Sequence, residues 1–344
     1  MRRSHPPNMN HPHRLKVIFL TEPINSPSTR FRILQFISEF EKFDLDITVS
    51  PIPKGIFPRL KLFNSLSAFD ITVLQRKLFQ PWILSYLKMK SKVLFFDFDD
   101  AIMFRDSNAT DFYSRSRQNR FKNTAQKADF VITGNEYLRE ISQQFNNNVV
   151  VIPTGINTQL YIPGDVHEAG RPLTLGWIGS QPNLIYLQTL IEPINKLYLV
   201  NKNFRLKIVC DGFIDGFHCP TEKKVWCKDD ELADIQSFDI GLSPLTEDKW
   251  TRGKCALKLL QYMACSLASV SSATAVTSRM IRDGHNGFLA SNSTDWFEKL
   301  RFLTENPQQS RAMGFTARQS LMGVFDEKTI AEKYSALFHQ RTNS

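Results

Sequence analysis

Short, continuously apolar segments recur along this chain, each followed by a polar turn and then by apolar residues at helical spacing. Leu15–Leu20 reads LKVIFL, without the in-out alternation of a strand that faces water on one side. Such a run is expected to be buried on both faces, as in a parallel sheet. Asp46–Val49, Ile71–Leu74, Val93–Phe96, Phe130–Thr133 and Val149–Ile152 are further strand candidates. Phe31, Leu34, Ile37 and Phe40 mark a helix over about 29–40, with Ser28 or Thr29 placed to cap it. The alternation breaks at 157–172, where Pro163, Gly164, Gly170 and Pro172 read as a linker. It then restarts with strands at Leu173–Ile178, Arg205–Val209, Ile240–Leu242, Leu267–Ser271 and Phe288–Leu289, and with helices from about 182 and 254. Strands alternating with helices build right-handed crossover units. The expected fold is therefore α/β, in two similar domains at 14–162 and 163–325, after a disordered tail at 1–13. Loops at the carboxyl ends of the two sheets would face a common cleft.

Composition bounds the reading. A 42% hydrophobic content with 27 Phe supplies ample core material, and no apolar run approaches the ~20 residues of a membrane span. Met1–Arg14 is basic and rich in Pro and His but lacks the apolar stretch of a secretory leader. The five cysteines are odd in number and form no C-x-x-C pair, which points to a reducing cytoplasm rather than a disulfide framework. The spacing of His218, Cys219 and Cys227 fits no zinc pattern, so no metal is expected. Net charge is +9 and uneven: residues 51–92 hold eight Lys and Arg against Asp70 alone, interleaved with Phe57, Trp82 and other apolar residues. That surface suits an anionic membrane face, where each basic residue adds roughly 1 kcal/mol. Without a recognition motif, nucleic acid is not expected as a partner, and a solvated basic face over an ordinary core is the plain alternative.

Four stretches could carry chemistry. Ser28, Thr29, Arg30 and Arg32 stand at a helix start, where backbone amides and guanidinium groups attract anions. Asp97, Asp99 and Asp100 end an apolar strand; carboxylates this close repel, raise one pKa, and can orient a hydroxyl or take its proton. Gly179, Ser180 and Asn183 form a small-residue turn from strand to helix whose amides can hold a diphosphate. The last runs from Trp250 to Ala264. Here Arg252 and Lys254 open a helix whose apolar face is Leu257, Leu260, Met263 and Ala264. Cations at the positive end of a helix are unfavourable unless an anion joins them. Gln261 could reach a ribose hydroxyl.

STRFRILQF (28–36), VLFFDFDDAIM (93–103), ADFVITGNEYL (128–138), VVVIPTGINTQLY (149–161), LGWIGS (175–180), the 232–264 stretch around DKWTRGKCALKLLQYMA, and IRDGHNGFLA (281–290), in this order, resemble the family 4 glycosyltransferases. The resemblance spans about 14–340. It implies a GT-B fold of two Rossmann-like domains, with a last helix, within 326–344, crossing back onto the first. It implies a retaining, metal-independent transfer from a nucleotide-diphosphate sugar, without a cofactor, to a cell-envelope glycan or lipid-linked acceptor. Family members commonly build surface polysaccharides, so a cytoplasmic protein, peripheral to the inner membrane face, is expected.

On this reading the first domain binds acceptor through Ser28, Thr29, Arg30 and Arg32, and Asp97, Asp99 or Asp100 positions its hydroxyl. The second binds donor through Gly179, Ser180, Asn183, Asp211, Gly212, Lys258 and Gln261, while Arg252 and Lys254 receive the diphosphate. Gly253 and Gln261 stand where the family often has two glutamates, and the Arg252/Lys254 pair is expected to replace the first of them. A sugar-nucleotide epimerase of the same fold and a catalytically degenerate binding subunit are the alternatives.

Overall fold

The computed structural model describes residues 14–165 and 170–342, so the expected tail at 1–13 lies outside the described residues. Strands β1 (Leu15–Thr21), β2 (Leu45–Pro51), β3 (Ile71–Gln75), β4 (Val93–Phe98), β5 (Phe130–Thr133) and β6 (Val149–Val151) form a parallel sheet in the order β2-β1-β3-β4-β5-β6. A second parallel sheet takes β7 (Leu173–Ile178), β8 (Phe204–Cys210), β9 (Thr221–Val225), β10 (Ile240–Ser243), β11 (Ala268–Ser272) and β12 (Phe288–Ala290) in the order β12-β11-β10-β7-β8-β9. Helices α1 (Pro27–Arg32), α2 (Ile37–Lys42), α3 (Ile56–Asn64), α4 (Pro81–Lys90), α5 (Arg115–Lys127) and α6 (Glu136–Gln143) flank the first sheet. Helices α7 (Leu184–Gln188), α8 (Ile191–Val200), α9 (Glu231–Gln236), α10 (Leu257–Ala264), α11 (Ser293–Glu305) and α12 (Pro307–Leu321) flank the second. The last, α13 (Glu327–Thr342), returns to the first sheet, where Tyr334 and Phe338 pack on Phe19 of β1. Two Rossmann-like domains thus present their strand carboxyl ends to each other.

β9 escaped the sequence reading because TEKKV is a partly exposed edge strand, paired to β8 alone, with charges in place of an apolar run. The helix expected over 29–40 is broken at Ile33 (φ −134°, ψ −63°) into α1, a 3-10 turn at Leu34–Phe36, and α2. The break serves two cores. Phe31 packs between the domains with Tyr161 and Ile178, while Ile33 and Phe36 pack under the first sheet with Phe19. The cap is Ser26, whose Oγ accepts from the Thr29 amide at 3.3 Å, rather than Ser28 or Thr29. The helix expected from 254 starts only at Leu257, after a 3-10 turn at Thr251–Gly253 and a left-handed Ala256 (φ 52°), so Lys254 precedes the helix.

One buried charge pair ties the first domain together. Arg32 is 1% exposed and Asp97 is fully buried. Arg32 Nε donates to Asp97 Oδ2 at 2.9 Å, its NH2 group donates to Asp97 Oδ1 and to Tyr334 Oη at 2.9 Å, and its NH1 group to the Ile152 carbonyl at 3.1 Å and Thr154 Oγ1 at 3.3 Å. α1, β4, the chain after β6 and α13 therefore meet on one guanidinium. Gly155 is needed beside it, because a Cβ there would lie 2.6 Å from Ile330 and 2.7 Å from the Phe325 carbonyl.

Replacing Arg32 by Met strands the Asp97 carboxylate in the core, and chemical denaturation is expected to show a loss of about 3–5 kcal/mol. Pairing Arg32→Met with Asp97→Asn should recover much of that loss, since the uncompensated charge is then gone.

Candidate active site

On the first domain, the carboxyl ends of β1, β3 and β4 converge on Arg76. Its NH1 group donates to Asp100 Oδ2 at 2.7 Å, Asp99 Oδ1 at 3.2 Å and Ser28 Oγ at 2.9 Å, and Ser28 Oγ donates on to Asp99 Oδ1 at 2.9 Å. Glu22 lies 3.9 Å from Arg76 Nε, and that nitrogen is buried without a hydrogen bond. Burial raises the Asp99 pKa against the pull of Arg76, and Asp100 raises it further. Asp100, about one-fifth exposed, still meets solvent, whereas Asp99 is buried. Arg76 itself has a left-handed backbone (φ 56°), uncommon for a residue with a side chain and found where the surroundings enforce it. The sequence reading counted Arg76 only within the basic stretch; a lone Arg directly after a buried strand was the available signal.

Several expected acceptor residues are not free. Arg32 and Asp97 are spent on each other in the core and belong to the framework. Thr29 is fully buried, with Oγ1 donating to Gln75 Oε1 at 3.3 Å. Arg30 crosses to the second domain, where its guanidinium meets Glu231 at 2.8 and 3.3 Å. Ser28 remains, as part of the Arg76 cluster.

On the second domain, β7 ends at the Gly179–Asn183 turn. Ser180 is exposed and accepts from Asn183 Nδ2 at 2.8 Å. Asp211, at the end of β8, accepts the Gln181 amide at 2.6 Å, and a Cβ on Gly212 would stand 2.9 Å from Gln181 Cγ. One amide expected for a diphosphate is thus taken by Asp211. Below the turn, Lys254 Nζ donates to Asn183 Oδ1 at 3.3 Å and lies 5.7 Å from the Trp250 ring. Lys258 Nζ lies 5.2 Å from the Trp177 ring, and its stem crosses Gly179, where a Cβ would be 3.2 Å from Lys258 Cε. Neither lysine has a carboxylate partner among the described residues. Burial, and then the charge of Lys254, pushes the Lys258 pKa down to about 7. Two ammonium groups held this close without a counter-ion are costly alone and are offset by a bound polyanion.

Arg252 departs from expectation: it is exposed and stacks on Tyr137 of the first domain, 4.3 Å from the ring centroid, outside the lysine pair. Gln261 does too. It is 4% exposed, and its Nε2 donates to Tyr161 Oη and Glu231 Oε1, each at 3.3 Å. That amide is bound within the protein, so its expected ribose contact is corrected to an internal one. Glu231, unmarked in sequence, also accepts from Tyr161 Oη at 2.6 Å and Trp226 Nε1 at 3.0 Å, making an interdomain hub with Arg30.

The 243–256 segment closes the cleft. Asn135 Nδ2 donates to the Arg252 and Lys254 carbonyls at 3.2 Å each, Ser107 Oγ to Asp248 Oδ2 at 2.6 Å, and Tyr186 Oη to Ser107 Oγ at 2.6 Å. A Cβ on Gly253 would sit 2.6 Å from Ala101 Cβ across the interface, which explains why this position carries no side chain in the closed arrangement. Cys255, with its thiol pushed up to about 12 by burial and then by Asp99 and Asp100, faces the same acids. A separate hollow of about 590 Å³, lined by Lys92, Asn146 and Arg341 among others, lies at the opposite strand ends of the first domain and holds none of these groups.

Two parallel α/β domains with strand ends meeting across a closed cleft define the GT-B class of fold. Within it, residues 172–306 match the family model described as glycosyl transferases group 1. No curated protein matches the chain in sequence. Among solved structures, Anabaena HepE in complex with UDP and glucose superposes with a TM-score of 0.70 at 14% identity, over 95% of this chain and 100% of that one. Sucrose-phosphate synthase from Thermosynechococcus elongatus gives 0.69 at 13% identity over 96% and 100%. The pneumococcal O-GlcNAc transferase GtfA, in complex with UDP and GlcNAc, gives 0.63 at 16% over 83% and 60%.

Lys258 should act as a pH-dependent anion receptor. With its pKa lowered from 10.5 to about 7, it is charged below pH 7 and loses its proton above. Pyrophosphate affinity of the native chain, measured by calorimetry relative to Lys258→Arg to cancel the ligand's own titration, is expected to fall as pH rises from 7 to 9. Because the unfolded lysine binds the proton more tightly, native stability rises with pH between about 7 and 10.5 on this account. Lys258→Met is therefore expected to melt higher than the native chain at pH 7, with the gain fading toward pH 10.5.

Proposed function

We propose that this chain is a retaining glycosyltransferase that moves a sugar from a nucleotide-diphosphate donor to a glycan or lipid-linked acceptor of the cell envelope, at the cytoplasmic side. The observation that carries the reading is the convergence of Lys254 and Lys258, without a carboxylate partner, beneath the Gly179–Asn183 turn. Breaking a glycosidic bond to a nucleoside diphosphate develops negative charge on the leaving oxygens. Ammonium groups already in place stabilise that charge in the transition state without reorganising. They supply the positive charge that a divalent metal supplies elsewhere, hence a metal-independent transfer without a cofactor. Asp100, anchored by Arg76, is placed to accept a hydrogen bond from the incoming acceptor hydroxyl. Retention of configuration rests on the family 4 resemblance. Uridine diphosphate, bound in HepE and GtfA, is the first nucleotide to test.

Losing one such cation typically costs ~3 kcal/mol. Lys254→Ala and Lys258→Ala are each expected to cut sugar transfer from the accepted UDP-sugar by about two decades while each variant still folds and melts cooperatively. A near-native rate in both variants would eliminate the assignment. The substitutions at Gly253 and Gln261 favour a second reading, a binding subunit that holds the nucleotide without transferring its sugar. Unimpaired UDP binding with no transfer or donor conversion under any acceptor would select it.

A further inference from the structure

The basic stretch at 51–92 divides in the structure. Arg76 turns into the cleft, Lys88 pairs with Asp129, and Lys92 with Asp70 at 3.0 Å. Lys54, Lys61 and Lys77 remain exposed, with no ion-pair partner among the described residues, and Lys90 lies over the Tyr86 ring at 5.4 Å. These cations surround side chains that a protein surface rarely displays together: Phe57 is 81% exposed, Met89 67% and Trp82 55%. The exposure follows helical spacing. On α3, Phe57 and Lys61 are one turn apart on the outer face while Phe63 is buried. On α4, Trp82, Ser85 and Met89 form the outer stripe while Ile83, Leu84 and Leu87 pack inward. The two helices lie side by side, joined where Tyr86 Oη donates to Asn64 Oδ1, and Phe63 of α3 meets Phe79 just before α4 at 5.8 Å. Their outer stripes therefore belong to one face.

That face adjoins the cleft. Both helices begin at the carboxyl ends of their preceding strands, and only residues 77–81 separate Arg76 of the acid cluster from Trp82. We propose that the α3–α4 face docks on an anionic lipid bilayer, with Phe57, Trp82 and Met89 entering the interface and Lys54, Lys61, Lys77 and Lys90 meeting phosphate headgroups. The acceptor is then lipid-linked and reaches Asp100 from the membrane surface beside Trp82. Charge complementarity selects an anionic partner, and the protruding apolar groups select a bilayer, whose interface accommodates them. No helix among the described residues is long and apolar enough to cross a membrane, so this contact is peripheral. The acceptor half of the inference rests on the glycosyltransferase reading; the docking half does not.

Sedimentation of the full-length chain with vesicles tests it. Vesicles of phosphatidylcholine with added phosphatidylglycerol are expected to bind at least about tenfold more tightly than phosphatidylcholine alone, with binding weakened by salt. Phe57→Ser with Trp82→Ser, and separately Lys54→Glu with Lys61→Glu and Lys77→Glu, should each reduce that binding by about tenfold or more. Melting and UDP titration should be unchanged, since all five side chains are exposed and remote from the lysine pair. Equal binding to both vesicle types, no binding, or insensitivity to both variants overturns the proposal. So does equally tight binding to a short RNA duplex that survives the Phe57/Trp82 change. Vesicle binding with no binding of any nucleoside diphosphate would leave the docking face standing and remove the enzymatic reading instead.

Discussion

The Arg32–Asp97 pair is the interaction on which the first domain's geometry depends. A fully buried guanidinium needs every donor satisfied, because an isolated buried charge costs several kcal/mol. Here its donors are satisfied by β4, the segment after β6, and α13 from the far end of the chain. α1 must therefore end where Arg32 can turn inward. That requirement places Ser28 beside Arg76 and sends Arg30 outward to Glu231. α13 must also cover the first sheet, which binds the chain terminus to a domain built mostly from its beginning.

The two sides of the cleft differ in how their cations are paired. Glu22, Asp99 and Asp100 outnumber Arg76 on the first domain, whereas Lys254 and Lys258 stand without a carboxylate on the second. Under the proposed function, a charged diphosphate would meet the unpaired lysines and a neutral hydroxyl the acid cluster. The contacts that close the cleft include the Arg30–Glu231 ion pair, the Arg252 stack on Tyr137, and hydrogen bonds from short polar side chains to backbone, such as Asn135 on the Arg252 and Lys254 carbonyls. Hydrogen bonds of this kind are individually modest, about 1 kcal/mol net.

The missing glutamates acquire a local explanation. At Gly253 the backbone of the second domain meets Ala101 of the first too closely for a Cβ, so in this closed form no side chain fits. At Gln261 the amide serves Glu231 and Tyr161 inside the interdomain hub. The carboxylate at this point of the cleft belongs to Glu231, from a different element, and is neutralised by Arg30 rather than left for a ligand.

The strands other than β9, their parallel character and the two-domain plan were legible in the sequence. Burial on both faces leaves an unbroken apolar run, and that signature is local. β9 was not legible, since an edge strand with charged residues has no such run. In the site, the turn at Gly179–Asn183 and the lysine at 254 were legible as residue types in a strand–helix context. The partition of charges was not. Arg32 and Arg252 look alike in sequence, yet one is a buried tether 65 residues from its partner Asp97 and the other an exposed stack on Tyr137. The sequence by itself determined the buried strands and how many domains they make, because hydrophobic periodicity acts between neighbours along the chain. Only the tertiary structure decided which cations were spent and which stayed free, because pairing depends on distances between groups that folding alone brings together.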